Sequence, residues 1–274
     1  MRNRVNIVVA TLAALGAASA MVVGSTQVTA QQGYKAARTS WGDGKPDLSG
    51  IWQALGSANW NLEDHAAYGA LSSIQAVVGT LSAAPGGFGA VEGPIPYKPE
   101  ALKQRQQNFE NRWTADPELK CFQAGLPRAT YLPYPFQILQ SSNKILMAYE
   151  YAKSSRTIHM DKKVAAPVPQ YMGQSNGRWD GDTLVVDVTD FREESWFDRA
   201  GNFHSDALKV TERFTMTSPY HIAYEATIED PNVFTRPWKV TVPLYKRVDR
   251  NAQLMEFNCV PFSEDLIYGQ WKRR

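Results

Sequence analysis

The chain has 274 residues, 43% of them apolar, with 29 Lys and Arg against 27 Asp and Glu. That is enough apolar material for one sizeable core, and the near-balanced charge excludes the basic surface that nucleic acid or an anionic membrane would need. Two cysteines with no C-x-x-C or C-x-x-C-H exclude a redox-active pair and c-type haem.

In chain order, Arg2 and Arg4 form a short basic start, residues 5–24 an apolar Ala-rich run, and Val28-Thr29-Ala30 a small-residue cleavage site before Gln31. This pattern predicts an export signal over residues 1–30, whose removal leaves a periplasmic or secreted chain with no further membrane insertion. The two signal arginines account for the positive excess, so the mature chain is predicted to be neutral. Residues 31–47 are polar and Gly-rich and read as an extended arm. A single domain over 48–274 follows, with its first strand at 48–53 and a helical and loop insertion over 57–120. In that insertion Asn61 is a candidate N-cap of a segment with mixed helical signals to Leu81. Residues 83–97 have the Gly/Pro composition of a mobile lid. Residues 99–113 are predicted as a helix: Pro99 suits the first helical position, Glu100 the dipole, and Leu102, Phe109 and Trp113 fall on one stripe.

From Pro135 the apolar period changes to two. Strands are predicted at 136–140, 144–151, 156–161, 182–189, 207–216, 221–229, 236–246 and 254–260, separated by turn residues. Trp179-Asp180-Gly181-Asp182 is the strongest local signal, an Asp-Gly pair suited to a type I′ hairpin turn. The predicted fold class is mainly β: an antiparallel meander forming a barrel-like or strongly curved sheet, with an α-helical insertion near residues 60–113. Cys121 and Cys259, an even pair in an oxidising compartment, are predicted to form a disulfide.

Candidate chemistry follows from the alternation. In the strand at 207–216, Glu212 shares a face with Leu208, Val210, Phe214 and Met216. A carboxylate there is either a general acid or base or half of a buried ion pair, with Arg156 or Arg247 as partner. His204 and Asp206, two residues apart, form a second acid/base candidate or a bland loop-to-strand cap. Tyr149, on an apolar strand face, and Trp196 and Phe203, in the aromatic-rich connection 190–204, are candidate ligand-binding residues. The four histidines are scattered without a ligand spacing, so neither metal nor other cofactor is expected.

Pro46-Asp47-Leu48-Ser49-Gly50-Ile51-Trp52, the run Gly177-Arg178-Trp179-Asp180-Gly181-Asp182-Thr183-Leu184-Val185-Val186-Asp187, and Asp230-Pro231 with Pro237-Trp238 resemble a family of secreted bacterial proteins. That family is abundant in soil proteobacteria and acidobacteria and mostly lacks an assigned function. The likeness runs from about Asp47 to Cys259. Relatives tend to carry an Asp-Gly…His-Pro turn where this chain has Asp161-Lys162-Lys163-Val164-Ala165, so a role resting on that histidine does not carry over. Gly50-Ile51-Trp52 is also similar to the G-x-W opening of lipocalins. The expected function is an exported protein that accommodates a hydrophobic or aromatic small molecule in its barrel. The alternatives are a cofactor-independent lyase, isomerase or hydrolase using Glu212 or His204 with Asp206, and a structural envelope protein with a filled core.

Overall fold

The computed structural model describes residues 34–69, 83–84, 86–263 and 266. The expected export signal and the part beyond residue 69 of the segment expected to carry mixed helical signals lie outside them. Residues 61–69 are not helical: Asn61 Oδ1 accepts from the Glu63 N–H at 3.1 Å, an Asx turn in place of the expected N-cap. Tyr68–Gly69 (β2) pairs with Ala83–Ala84 (β3).

Nine strands close into one barrel. They are Gly50–Ala54 (β1), Phe136–Gln140 (β4), Lys144–Tyr149 (β5), Ser155–His159 (β6), Gln174–Asp180 (β7), Thr183–Thr189 (β8), Lys209–Ser218 (β9), His221–Glu229 (β10) and Trp238–Lys246 (β11). From β4 the strands follow one another to β11, and β1 lies between β4 and β11. The pairs are antiparallel as the meander predicts, with one departure. β6 and β7 run parallel, and only Ile158–Ser175 and His159–Asn176 pair across that junction.

Local sequence explains the sharpest features. Asp180 pairs with Thr183, so the turn between β7 and β8 is Gly181-Asp182 with positive φ (58°) at Gly181 alone. That is the pattern of a type II′ turn, shifted one residue from the expected type I′ Asp-Gly. Asp182 then receives both terminal nitrogens of Arg38, at 2.7 and 2.8 Å, which ties the arm to the hairpin tip. At the start of β1, Gly50 has φ +145°, a conformation that side-chain-bearing residues rarely adopt, so the position favours glycine. Two residues on, Trp52 turns fully inward, its indole N–H donating to the Leu48 carbonyl at 2.9 Å.

Alternation fills the barrel. Trp52, Phe136, Ile145, Leu184, Phe214 and Leu244 expose no surface, and neither do Val186, Ile222 or Tyr224. Each such side chain contributes about 1.5–3 kcal/mol of burial. The lumen is therefore a packed core along these residues, not an open cup.

The helical layer is smaller than expected. Pro99–Glu110 (α1) and Arg112–Ala115 (α2) divide the predicted helix, and Arg128–Tyr131 (α3) adds one turn. The stripe through Leu102 is not its buried side. Leu102 is 44% exposed, while Ala101 is buried and Arg105 and Asn108 bond Asn202 and the Gly201 carbonyl. Residues 86–97 are tied at several points: the Ile95 N–H donates to Glu63 and the Thr241 N–H to the Ala90 carbonyl. Residues 254–260 are not a strand and hold no buried residue. They do carry Cys259, bonded to Cys121 with Cα atoms 5.7 Å apart.

Candidate functional site

Two polar centres dominate the molecule, one inside the barrel and one on its end. Inside, Glu212 faces inward from β9 as the alternation predicts, and Arg156 of β6 meets it. Both terminal guanidinium nitrogens of Arg156 bond the carboxylate, and the Tyr224 hydroxyl donates to Oε1 at 2.8 Å. Burial alone would lower the Arg156 pKa, but Glu212 opposes it and the guanidinium is held above its ordinary value. Tyr149 joins this centre: its hydroxyl lies 3.6 Å from Met147 Sδ, which also takes a contact from Arg156 at 3.2 Å, and its ring stacks on Phe136. Glu212 is thus a fixed half of an ion pair, with its oxygens occupied by structural donors.

The end of the barrel is built from the connection 190–206, the β10–β11 connection 230–237 and α1. Asp198 is fully buried and accepts the N–H groups of Leu62 (2.8 Å), Ala200 (3.0 Å) and Asn202 (3.1 Å) and the Asn202 side-chain amide (2.6 Å). Burial nevertheless pushes its pKa up to about 6. Beside it Arg128, also buried, spans Asp116 (2.9 Å) and Glu118 (2.6 Å), and Arg199 reaches Glu118 at 2.9 Å. Burial would raise the Glu118 pKa, but Arg199 and Arg128 outweigh it and hold it at about 2.

His204 is also buried in this end. Its Nδ1 lies 2.8 Å from the Ser205 carbonyl, which can only accept, so Nδ1 carries the proton. Its Nε2 therefore accepts from the Ser195 hydroxyl at 2.8 Å. Burial lowers the His204 pKa and keeps the ring neutral. A serine hydrogen-bonded to a neutral histidine has the form of a nucleophile and base. Here, however, Ser195 is 2% exposed, and a Cβ on Gly125 would come within 2.4 Å of its Oγ, so backbone covers the hydroxyl. Phe191 and Phe197 pack against the His204 ring, with centroids 5.9 and 5.3 Å away. Asp206 is exposed and makes no hydrogen bond to His204; Ser205 instead bonds Asp230 through its N–H (2.6 Å) and hydroxyl (2.9 Å). The pair His204–Asp206 is not brought together.

Trp196 and Phe203 bridge each other across one turn of the same connection. Phe203 stacks on Tyr97 (6.1 Å), Tyr97 tilts onto Phe234 (5.0 Å), and Phe234 and Phe197 each meet Trp238 edge-on at 5.2 and 5.6 Å. This aromatic layer backs two clefts on either side of Arg236-Pro237. One, of about 580 Å³, lies among Lys98, Ala207, Lys209, Glu229, Phe234 and Arg236. The other, of about 430 Å³, is bounded by residues 91–95, Glu225, Lys239 and Trp238, whose buried indole N–H has no partner. Sequence reasoning missed Lys98, Lys209, Phe234 and Arg236, which come from three separate segments. The run Asp230-Pro231-Asn232-Val233-Phe234-Thr235-Arg236-Pro237-Trp238 was the available signal, since two prolines flank an aromatic and a cation; Pro237 also delays the strand expected from 236, which begins at Trp238.

Among the described residues no group of three or more His, Cys, Asp or Glu side chains could hold a metal ion, and no helix is long and apolar enough to cross a membrane. Comparison with known protein families, with curated proteins and with solved structures returns no match.

Proposed function

We propose that this is an exported protein that binds a hydrophobic or aromatic small molecule, and that the ligand sits in the clefts at the barrel's end, not in the lumen. The observation that carries the reading is the 580 Å³ cleft lined by Phe234 and bordered by Lys98, Lys209 and Arg236. Ligand sites combine an apolar wall with a few polar groups, and this volume lies in their usual range. An apolar ring against Phe234 and Pro237 would leave an acidic or acceptor group to Lys209 or Arg236. The lumen gives such a molecule no room along its fully buried side chains. Acid–base catalysis is less favoured, because Glu212 is committed to Arg156 and Asp206 stands apart from His204.

Export is supported by the basic, apolar and small-residue sequence of residues 1–30, the neutral remainder, and a disulfide suited to an oxidising compartment. Native mass spectrometry of the protein purified from the producing cell's own periplasm tests the reading. A bound small molecule is expected in the wild type and lost in Phe234→Ala and Arg236→Ala. A ligand retained equally by both variants, or none at all, refutes the cleft as its site.

A further inference from the structure

The parallel junction of the barrel leaves an opening that the end clefts do not share. Because β6 and β7 pair at only two positions, the strands part below Ile158, and a pocket of about 250 Å³ lies between them. Its lining includes Ser155, Arg156, Thr157, Gln170, Gln174 and Ser175, all able to donate hydrogen bonds, and no Asp or Glu. Arg156 borders the pocket and Glu212 does not, so the positive end of the buried ion pair adjoins the opening. Of the three guanidinium nitrogens, Nη1 and Nη2 are held by Glu212, and Nη1 also lies 3.4 Å from Ser175 Oγ. Nε is buried and has no partner.

An unpaired N–H on a buried cation is costly to leave unsatisfied. An arginine already oriented by a carboxylate behind it is the arrangement that receives a second acceptor in front, with hydroxyl and amide donors on either side. We propose that this seam is a binding site for a small oxyanion, a carboxylate or an inorganic tetrahedral anion, which accepts from Arg156 Nε. Glu212 is then a positioning residue: it aims the guanidinium and keeps it charged.

The test follows the Arg156 Nε–H resonance of the ¹⁵N-labelled protein while acetate, sulfate and inorganic phosphate are each titrated at constant ionic strength. A saturable shift of that resonance is expected with at least one anion, and the responding arm tells a carboxylate site from a tetrahedral one. Ser155 is exposed, so Ser155→Glu places a carboxylate at the entrance without disturbing the core. It should weaken binding more than about tenfold by charge repulsion across a few ångströms. Gln174→Glu, on the opposite strand, should act likewise, and unchanged thermal melting of either variant shows that the fold is retained. No saturable shift, or equal affinity in wild type and both variants, overturns the proposal; the second result means an adventitious ion only.

Discussion

Replacing Glu212 by Gln changes one atom and keeps an acceptor for the Tyr224 hydroxyl, but it leaves Arg156 charged in the barrel with no counter-charge. The side chains of Arg156 and Glu212 are 2% and 0% exposed, so solvent replaces little of the lost partner. Removing one member of such a pair costs about 3–5 kcal/mol. For a domain of this size that lowers the melting midpoint by roughly 10 °C. Replacing both, as Arg156→Met with Glu212→Leu, removes the stranded charge and should recover most of the loss, because buried pairs contribute little net stability against apolar residues of similar volume. Urea unfolding of wild type, Arg156→Met, Glu212→Leu and the double variant measures the coupling directly, provided the four slopes agree. A Glu212→Gln cost below about 1 kcal/mol would refute the reasoning, since it would mean that Arg156 is solvated through the seam.

Breaking the Cys121–Cys259 bond by Cys→Ala at both positions should destabilise by at most about 4–5 kcal/mol, because the bond closes 138 residues of sequence separation; calorimetry of both forms checks this. The buried centres at the barrel's end predict opposite pH slopes. His204 has a folded pKa below its ordinary value, so its contribution is lost as pH falls through the region just below 6.5. Asp198, raised to about 6, works against folding as pH rises from 4 to 6. Relative to wild type, His204→Gln should gain stability on going from pH 7 to pH 5.5, with a slope difference of at most about 1.4 kcal/mol per pH unit; parallel pH profiles in urea would contradict it. Arg38→Ala removes an exposed pair to Asp182 and should leave the unfolding midpoint unchanged, while protease cleavage within the arm becomes faster.

Period-two alternation carried the strand faces well, because a strand half-buried in a core must alternate whatever lies beside it. It placed Glu212 among Val210, Phe214 and Met216, where the structure has it. The hairpin at Gly181 was legible for a similar reason: a positive φ in a two-residue turn is a local demand. Pairing order is not local. Nothing in Arg156 or Ser175 marks their strands as parallel neighbours, since either strand alone would serve an antiparallel pair. Residues 254–260 alternate as a strand should, yet a closed barrel has no edge left to pair with them. The clefts were hidden for a third reason. Lys98, Lys209 and Arg236 are ordinary surface cations in sequence and line one cleft only when three distant segments converge.

The position of β1 has a consequence for how the molecule comes into being. The strand is hydrogen-bonded on one side to β4 and on the other to β11, whose register joins Trp52 to Lys246. The earliest strand made therefore waits for the latest before the ring can shut. Until residue 246 has been made, β1 and β10 each keep an edge whose backbone groups bond water in place of β11. Closure then depends on a contact between residues nearly two hundred positions apart, which makes it a slow step.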